Sequence, residues 1–210
     1  SYRYNDAASA IMEYFWNEFC DWYVEATKIN FKNGDDAEKD RQASVLLNLL
    51  EENLRLLHPY LPFVTEEIYS KLPVAEIVEN RKKAGKNKIL SNSEYCGMLI
   101  NAPFPEVSAS REDSDVEKRF DVLKDLIGKV RALRTECGLD PASKINIAVL
   151  IEKGSAAEVC REKVDMIQLL AGVAQTEFVE AKPAAAIGTV GTGFEAFILV
   201  DETINREQLL

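Results

Sequence analysis

Val130-Arg131-Ala132-Leu133-Arg134-Thr135-Glu136-Cys137-Gly138-Leu139-Asp140-Pro141-Ala142-Ser143-Lys144-Ile145-Asn146-Ile147-Ala148-Val149-Leu150-Ile151 is where the chain changes its period. On its N-terminal side Val116, Phe120, Leu123, Ile127, Val130 and Leu133 form a near-heptad seam, which predicts a helix from about Glu112 to Cys137. Gly138 and Pro141 end it, glycine because it takes the left-handed conformation after a helix and proline because it cannot continue one. On the C-terminal side Ile145, Ile147, Val149 and Ile151 alternate with Asn146, Ala148 and Leu150, the period of a strand. The fold class follows as mainly α: an antiparallel helical bundle over residues 1–141, then a small α+β subdomain of βαββ type over 142–202.

Toward the N-terminus, Ala8, Ile11, Phe15, Phe19, Trp22, Ala26 and Ile29 keep the three-and-four spacing of one buried helix face from Tyr4 to about Phe31. Asn33-Gly34-Asp35-Asp36 stops that helix, with Gly34 suited to a left-handed residue and an Asp available to cap the next helix. A second helix, about Asp36 to His58, carries Ala43, Leu46, Leu47, Leu50, Leu54 and Leu57, and so short a connection makes the two antiparallel neighbours. Pro59 ends it, Pro62 suits the first turn of a third, and Pro73 closes that. Residues 75–110 lose periodicity and read as a long loop with a basic centre of Arg81, Lys82, Lys83, Lys86 and Lys88 and a short helix around 74–81.

Toward the C-terminus, Ser155 can cap a helix that turns Cys160, Val164, Ile167 and Ala171 inward and ends at Gly172. A short strand at Thr176–Glu180 follows, then a hairpin of 184–190 and 194–200. Residues 203–210 read as the first turns of a further helix, the start of a C-terminal coiled coil.

Composition sets limits on function. The 210 residues are 47% hydrophobic and 29% charged, as in ordinary globular proteins. No apolar run approaches the roughly 20 residues that span a bilayer, and no signal-peptide layout opens the chain, so a cytoplasmic protein with no membrane partner is expected. Four scattered cysteines and the lone His58 offer no zinc set, so no metal site is expected. The net charge of -10 argues against indiscriminate nucleic-acid binding, because that affinity comes from cations replacing phosphate counterions. Charge is local, however, and Lys124, Lys129, Arg131 and Arg134 recur along the helix before Gly138. That face could run along an RNA backbone or be a solvated face with ion pairs to Asp121, Asp125 and Glu136, and spacing leaves both readings open.

Other candidates read more simply. Phe15, Phe19 and Trp22 sit at core spacing, whereas Trp16 and Tyr23 lie off the centre of the stripe, where exposed rings could stack bases. Asn17, Asp21 and Glu25 share a face four residues apart, without a basic or metal partner. His58 is expected to be structural, bonding where a helix ends. Gly188-Thr189-Val190-Gly191-Thr192-Gly193 leads into a strand and not a helix, so it is a hairpin turn and not a phosphate loop.

Four ordered segments then carry a resemblance. Tyr2-Arg3-Tyr4-Asn5, Glu18-Phe19-Cys20-Asp21-Trp22-Tyr23, the run Leu57-His58-Pro59-Tyr60-Leu61-Pro62-Phe63-Val64-Thr65-Glu66-Glu67, and Val130 to Pro141 together resemble the helical anticodon-binding region of class I aminoacyl-tRNA synthetases of the valyl family. Tyr4 and Cys137 are small departures from that family's pattern; the isoleucyl family is the nearer rival. The resemblance implies part of a longer ligase that uses ATP and Mg²⁺ to attach valine to its tRNA. It implies valine-specific tRNA and the catalytic domain of the same polypeptide as partners, and it implies a helix before Tyr2 in the family's bundle. No His-Ile-Gly-His-like or Lys-Met-Ser-Lys-Ser-like element occurs here, so no catalytic residue and no cofactor site is expected within the chain. Arg3, Trp16, Asn17, Lys28, Arg131 and Arg134 are the RNA contacts the reading selects, cations on phosphates and Trp16 or Asn17 near bases. A protein-interaction scaffold is the competing reading, and salt-sensitive, tRNA-selective binding would separate the two.

Overall fold

The computed structural model describes residues 3–73, 97–107, 109, 112–140, 142–184 and 186–199. The expected short helix at 74–81, the basic centre of the loop, Cys96, Pro141 and the helix at 203–210 lie outside these residues. Two compact units divide between Glu112 and Asp113.

In the first unit the expected N-terminal helix runs continuously over 4–33 but is not uniform. Helix α1 (Tyr4–Glu13) passes into a π-helical stretch, Tyr14–Val24, and out again into α2 (Glu25–Asn33). The wider π turn stacks rings four residues apart: Phe15 on Phe19 at 5.5 Å and Phe19 on Tyr23 at 6.1 Å. Phe19 is buried there. Helix α3 (Asp36–Leu57) begins as expected with Asp35, whose carboxylate accepts from the Glu38 N–H at 2.8 Å. Gly34 departs from expectation. Its backbone is extended, at φ -73° and ψ 157°, and glycine is needed instead because a Cβ would come within 2.6 Å of the Asn30 carbonyl.

The α2–α3 hairpin is tied by Asn30 donating to Gln42 at 2.8 Å and Gln42 donating to the Tyr23 hydroxyl at 3.1 Å. Helix α4 (Pro62–Ser70) starts on Pro62 as the sequence predicts. His58 lies 2.8 Å through Nδ1 from the Thr65 hydroxyl, which donates to the Leu61 carbonyl. One hydroxyl has one proton, so Nδ1–H is the donor and His58 joins the end of α3 to the start of α4, a structural role.

Residues 97–107 return as a strap over α3 and α4. The Glu66 carboxylate accepts from the N–H groups of Leu99 and Ile100 at 2.8 and 3.3 Å, capping a 3₁₀ turn at Leu99–Asn101. Arg55, itself buried beside Glu51 at 3.0 Å, donates to the Pro103 carbonyl at 3.0 Å. Leu99 is thereby seated against Leu54 and Tyr69, all three buried.

In the second unit helix α5 (Ser114–Glu136) is capped by Asp113, which accepts from Asp115 and Val116 N–H at 3.1 Å. It ends in a Schellman turn, Leu139 N–H on the Arg134 carbonyl and Gly138 N–H on Thr135, each 3.0 Å. Strand β1 (Ile145–Ile151) leads through a 3₁₀ turn capped by Ser155, α6 (Val159–Glu162) and α7 (Val164–Ala171) to β2 (Val173–Val179), then β3 (Ala186–Gly191) and β4 (Phe194–Leu199). The sheet order is β2-β1-β4-β3, with β1 parallel to β2 and antiparallel to β4, and with β3–β4 a hairpin turning at Thr192-Gly193. The glycine-rich run is therefore a hairpin, as read.

Two differences from the sequence reading stand out here. The subdomain is βαβββ: the strands read one by one from the sequence already number four, so βαββ undercounts them, and β2 starts directly after Gly172, ahead of the expected Thr176, to pair in parallel with β1. The helix assigned to the bundle packs on β3, β4 and α7, with Leu126, Ile127 and Val130 at most 1% exposed, so the compact unit begins near 113 and not near 142. The expected seam is a buried face from Leu123 to Leu133, with Phe120 half-buried and Val116, in the first turn, 58% exposed. Spacing reports that a face is buried and not whether a helix or a sheet covers it. Among the described residues no helix is long and apolar enough to cross a membrane.

Gly172 tests this packing most sharply. It has φ +66°, ends α7, and a Cβ there would overlap the Arg134 guanidinium. Gly172→Ala is expected to cost about 2 kcal/mol from the left-handed backbone alone, read as a lower urea midpoint by circular dichroism. Cys160 gives a second measure: burial pushes its thiol up to about 11, so at pH 8 it should react with a thiol reagent only as fast as the second unit opens, slowing further with any stabilising change.

Candidate nucleic-acid interface

The six selected residues divide between the units, Arg3, Trp16, Asn17 and Lys28 in the first and Arg131 and Arg134 in the second. In the first unit the 4–33 helix presents them outward. Arg3 precedes α1 and pairs with Asp6. Trp16, 62% exposed, stands on the π-helical stretch with its ring 6.4 Å from Phe15, and Asn17 beside it is exposed. Lys28 pairs with Glu25 at 2.5 Å on an exposed face. Exposed ion pairs of this sort contribute little, so both cations can be transferred to a phosphate at small cost.

The surroundings of Trp16 say what kind of contact it suits. Glu13, Glu18 and Asp21 are exposed nearby in the same helix, so a phosphate would be repelled there while the neutral face of a base would not. Tyr14, 43% exposed, adds a second ring; partial burial raises its phenol, a hydrogen bond with Asn53 opposes this, and Glu52 and Glu18 raise it further, keeping it neutral. Burial likewise raises Tyr23 against the opposing hydrogen bond from Gln42. The cations lie further along: exposed Lys32 one turn past Lys28, and exposed Arg41 on α3, neither in an ion pair with a described residue. Sequence reading passed over Lys32 and Arg41 because Asp35, Asp36, Glu38 and Asp40 surround them in the chain; only Lys28 and Lys32 at spacing four could have signalled a shared face.

The second unit treats its two arginines differently. Arg134 is 8% exposed and lies across four carbonyls: Nη1 donates to Ala171 at 2.7 Å and to Gly172 at 3.4 Å, and Nη2 to Asp140 at 3.0 Å and Ser143 at 2.7 Å. A guanidinium so committed could reach a phosphate only by giving up these bonds, the one to buried Ala171 among them. Arg131, one turn earlier, donates Nε to the Leu170 carbonyl at 2.7 Å while its side chain is otherwise exposed. The two arginines together cap the C-terminal carbonyls of α7, where a cation is favoured by the helix dipole as well. Lys124 pairs with Asp121 at 3.0 Å and Lys129 with Asp125 at 3.7 Å, the ion-paired alternative for that face.

A family described as the anticodon-binding domain of tRNA ligase matches residues 1–149, and the chain belongs to that family. It is also similar over its whole length to valine–tRNA ligases: 49% identical to that of Treponema denticola, 41% to that of Treponema pallidum and 32% to that of Thermotoga maritima. The chain spans only 22 to 23% of the length of these relatives.

Removing Arg134 tests its structural role. Arg134→Ala is expected to destabilise the second unit by about 3 kcal/mol, since four hydrogen bonds from a charged donor are lost and the buried Ala171 carbonyl is left without its donor, at about 1–3 kcal/mol for that group alone. Arg131→Ala, at an exposed site, should cost no more than about 1 kcal/mol. Equal unfolding midpoints for the two variants would remove the clamp as the explanation.

Proposed function

We propose that this chain is the part of a valine–tRNA ligase that holds the anticodon arm of its tRNA, carried within a longer polypeptide whose catalytic domain uses ATP and Mg²⁺ in the cytoplasm. The observation that supports this best is the match of residues 1–149 to the anticodon-binding family together with full-length similarity to valine–tRNA ligases. The first unit then works as an antiparallel helical bundle whose long 4–33 helix faces the RNA.

In this reading the roles follow from charge and exposure. Trp16 stacks on an unpaired base and Asn17 donates or accepts at a base edge, because single-stranded loops splay bases that aromatic rings can hold. Arg3, Lys28, Lys32 and Arg41 take phosphates, which position the arm without reading sequence. Arg131, exposed on α5, adds a phosphate contact; Arg134, on the same helix, supports the second unit. The overall charge of -10 suppresses binding of other RNA, so selectivity is expected in spite of weak affinity.

Anisotropy binding to valine tRNA and to an unrelated tRNA across a salt series tests the reading. Selective binding with a steep salt dependence is expected. Trp16→Ala should weaken it by roughly tenfold, from stacking at about 1–3 kcal/mol per base, with the salt slope unchanged. Lys28→Glu should lower the slope by about one. Equal binding of both RNAs, or none at low salt, would instead support a protein-interaction scaffold.

A further inference from the structure

The first unit leaves a row of large apolar side chains in water at a place that hydrogen bonds hold in shape. Phe63 is 89% exposed, Met98 59%, Ile100 64%, Phe104 59% and Val107 90%. They belong to α4 and to the strap 97–107, which are joined at Glu66. That carboxylate holds the N–H groups of Leu99 and Ile100, and Phe63 stands one helical turn before Glu66 in α4. Arg55 anchors the strap again at the Pro103 carbonyl, and Leu99 is buried beneath it. The exposed side chains therefore sit on a braced surface and not on a loose end, and soluble chains seldom leave such a concentration of apolar groups uncovered.

We propose that this face of α4 and the strap is the surface on which the remainder of the ligase polypeptide packs. The inference rests on the reading of this chain as one part of a longer ligase, since it spans 22% of the length of its Treponema denticola relative and more than three quarters of that protein lies elsewhere. RNA is the poorer occupant. Neither α4 nor residues 98–107 contains a Lys or Arg, while Glu66, Glu67 and Glu106 are present, so these described segments themselves offer phosphates no cation and several like charges. Arg55 is buried beneath the strap, and Lys71, just past α4, is paired with Glu67 at 2.6 Å, which holds that carboxyl below its ordinary range. A protein surface with apolar groups facing Phe63 and Ile100 suits it, because the centre of an intramolecular interface is depleted of charge.

Hydroxyl-radical footprinting of this chain alone and of the longer polypeptide tests the assignment, since it reads side-chain exposure directly. In the chain alone, Phe63 and Met98 should oxidise rapidly at every concentration. In the longer polypeptide both should oxidise roughly tenfold more slowly, as expected when an interface core excludes water, while Trp16 remains reactive until tRNA is added. Ile100→Lys in the longer polypeptide should restore oxidation at Phe63, and in the chain alone it should leave the melting temperature unchanged. Equal oxidation in the two proteins overturns the proposal. So does protection of Phe63 in the chain alone, whether constant, which assigns the face to another segment of this chain, or growing with concentration, which assigns it to a second copy. These outcomes are independent of whether the chain binds tRNA, so a failure of the anticodon reading shows in the salt series and not in the footprint.

Discussion

A single guanidinium organises the C-terminal half of this protein. Arg134 lies where three chain segments meet, the turn after α5, the start of β1 and the end of α7, and it satisfies backbone carbonyls from all three regions at once. Helix ends leave such carbonyls without partners, and burying them unpaired is costly. One planar group with several fixed donors serves the end of α7, the turn after α5 and the approach to β1 together, which a lysine could not do. Gly172 is the complement of that solution: its left-handed backbone ends α7, and its missing side chain is the space the guanidinium occupies.

The N-terminal half is braced by a different device with the same logic. Buried or half-buried carboxylate, guanidinium, imidazole and hydroxyl groups each hold a turn: Glu66 the 3₁₀ turn of the strap, Arg55 the Pro103 carbonyl, His58 and Thr65 the bend between α3 and α4. Much of the Leu-His-Pro to Thr-Glu-Glu motif is thus architecture, and so is the Val-Arg-x-x-Arg motif. The residues proposed for recognition are exposed ones outside these braces, chiefly Trp16, Asn17 and Lys28 on the long helix and the cations Lys32 and Arg41.

The long helix shows how local geometry and display are linked. Its aromatic-rich centre adopts π-helical hydrogen bonding, and Phe15, Phe19 and Tyr23 stack along one side. With those rings turned inward and Gln42 holding the Tyr23 hydroxyl, Trp16 is left projecting among carboxylates. A neutral ring in an acidic neighbourhood favours a base over a phosphate, which separates the task of stacking from that of neutralising charge.

Most elements could be read directly from the amino acids. The period-two run at Ile145–Ile151, the Asp35 cap, Pro62 at the start of α4, the turn after α5 and the β3–β4 hairpin all follow from local stereochemistry, and the ordered motifs were enough to indicate the family. What the near-heptad seam of α5 packs against, the parallel placing of β2, the π-helical turn and the employment of Arg134 were decided only in three dimensions. Periodicity records that a face is buried but not by what. Likewise a sequence shows that an arginine is present, whereas only the folded chain shows whether its donors are already consumed by buried carbonyls or remain for a phosphate.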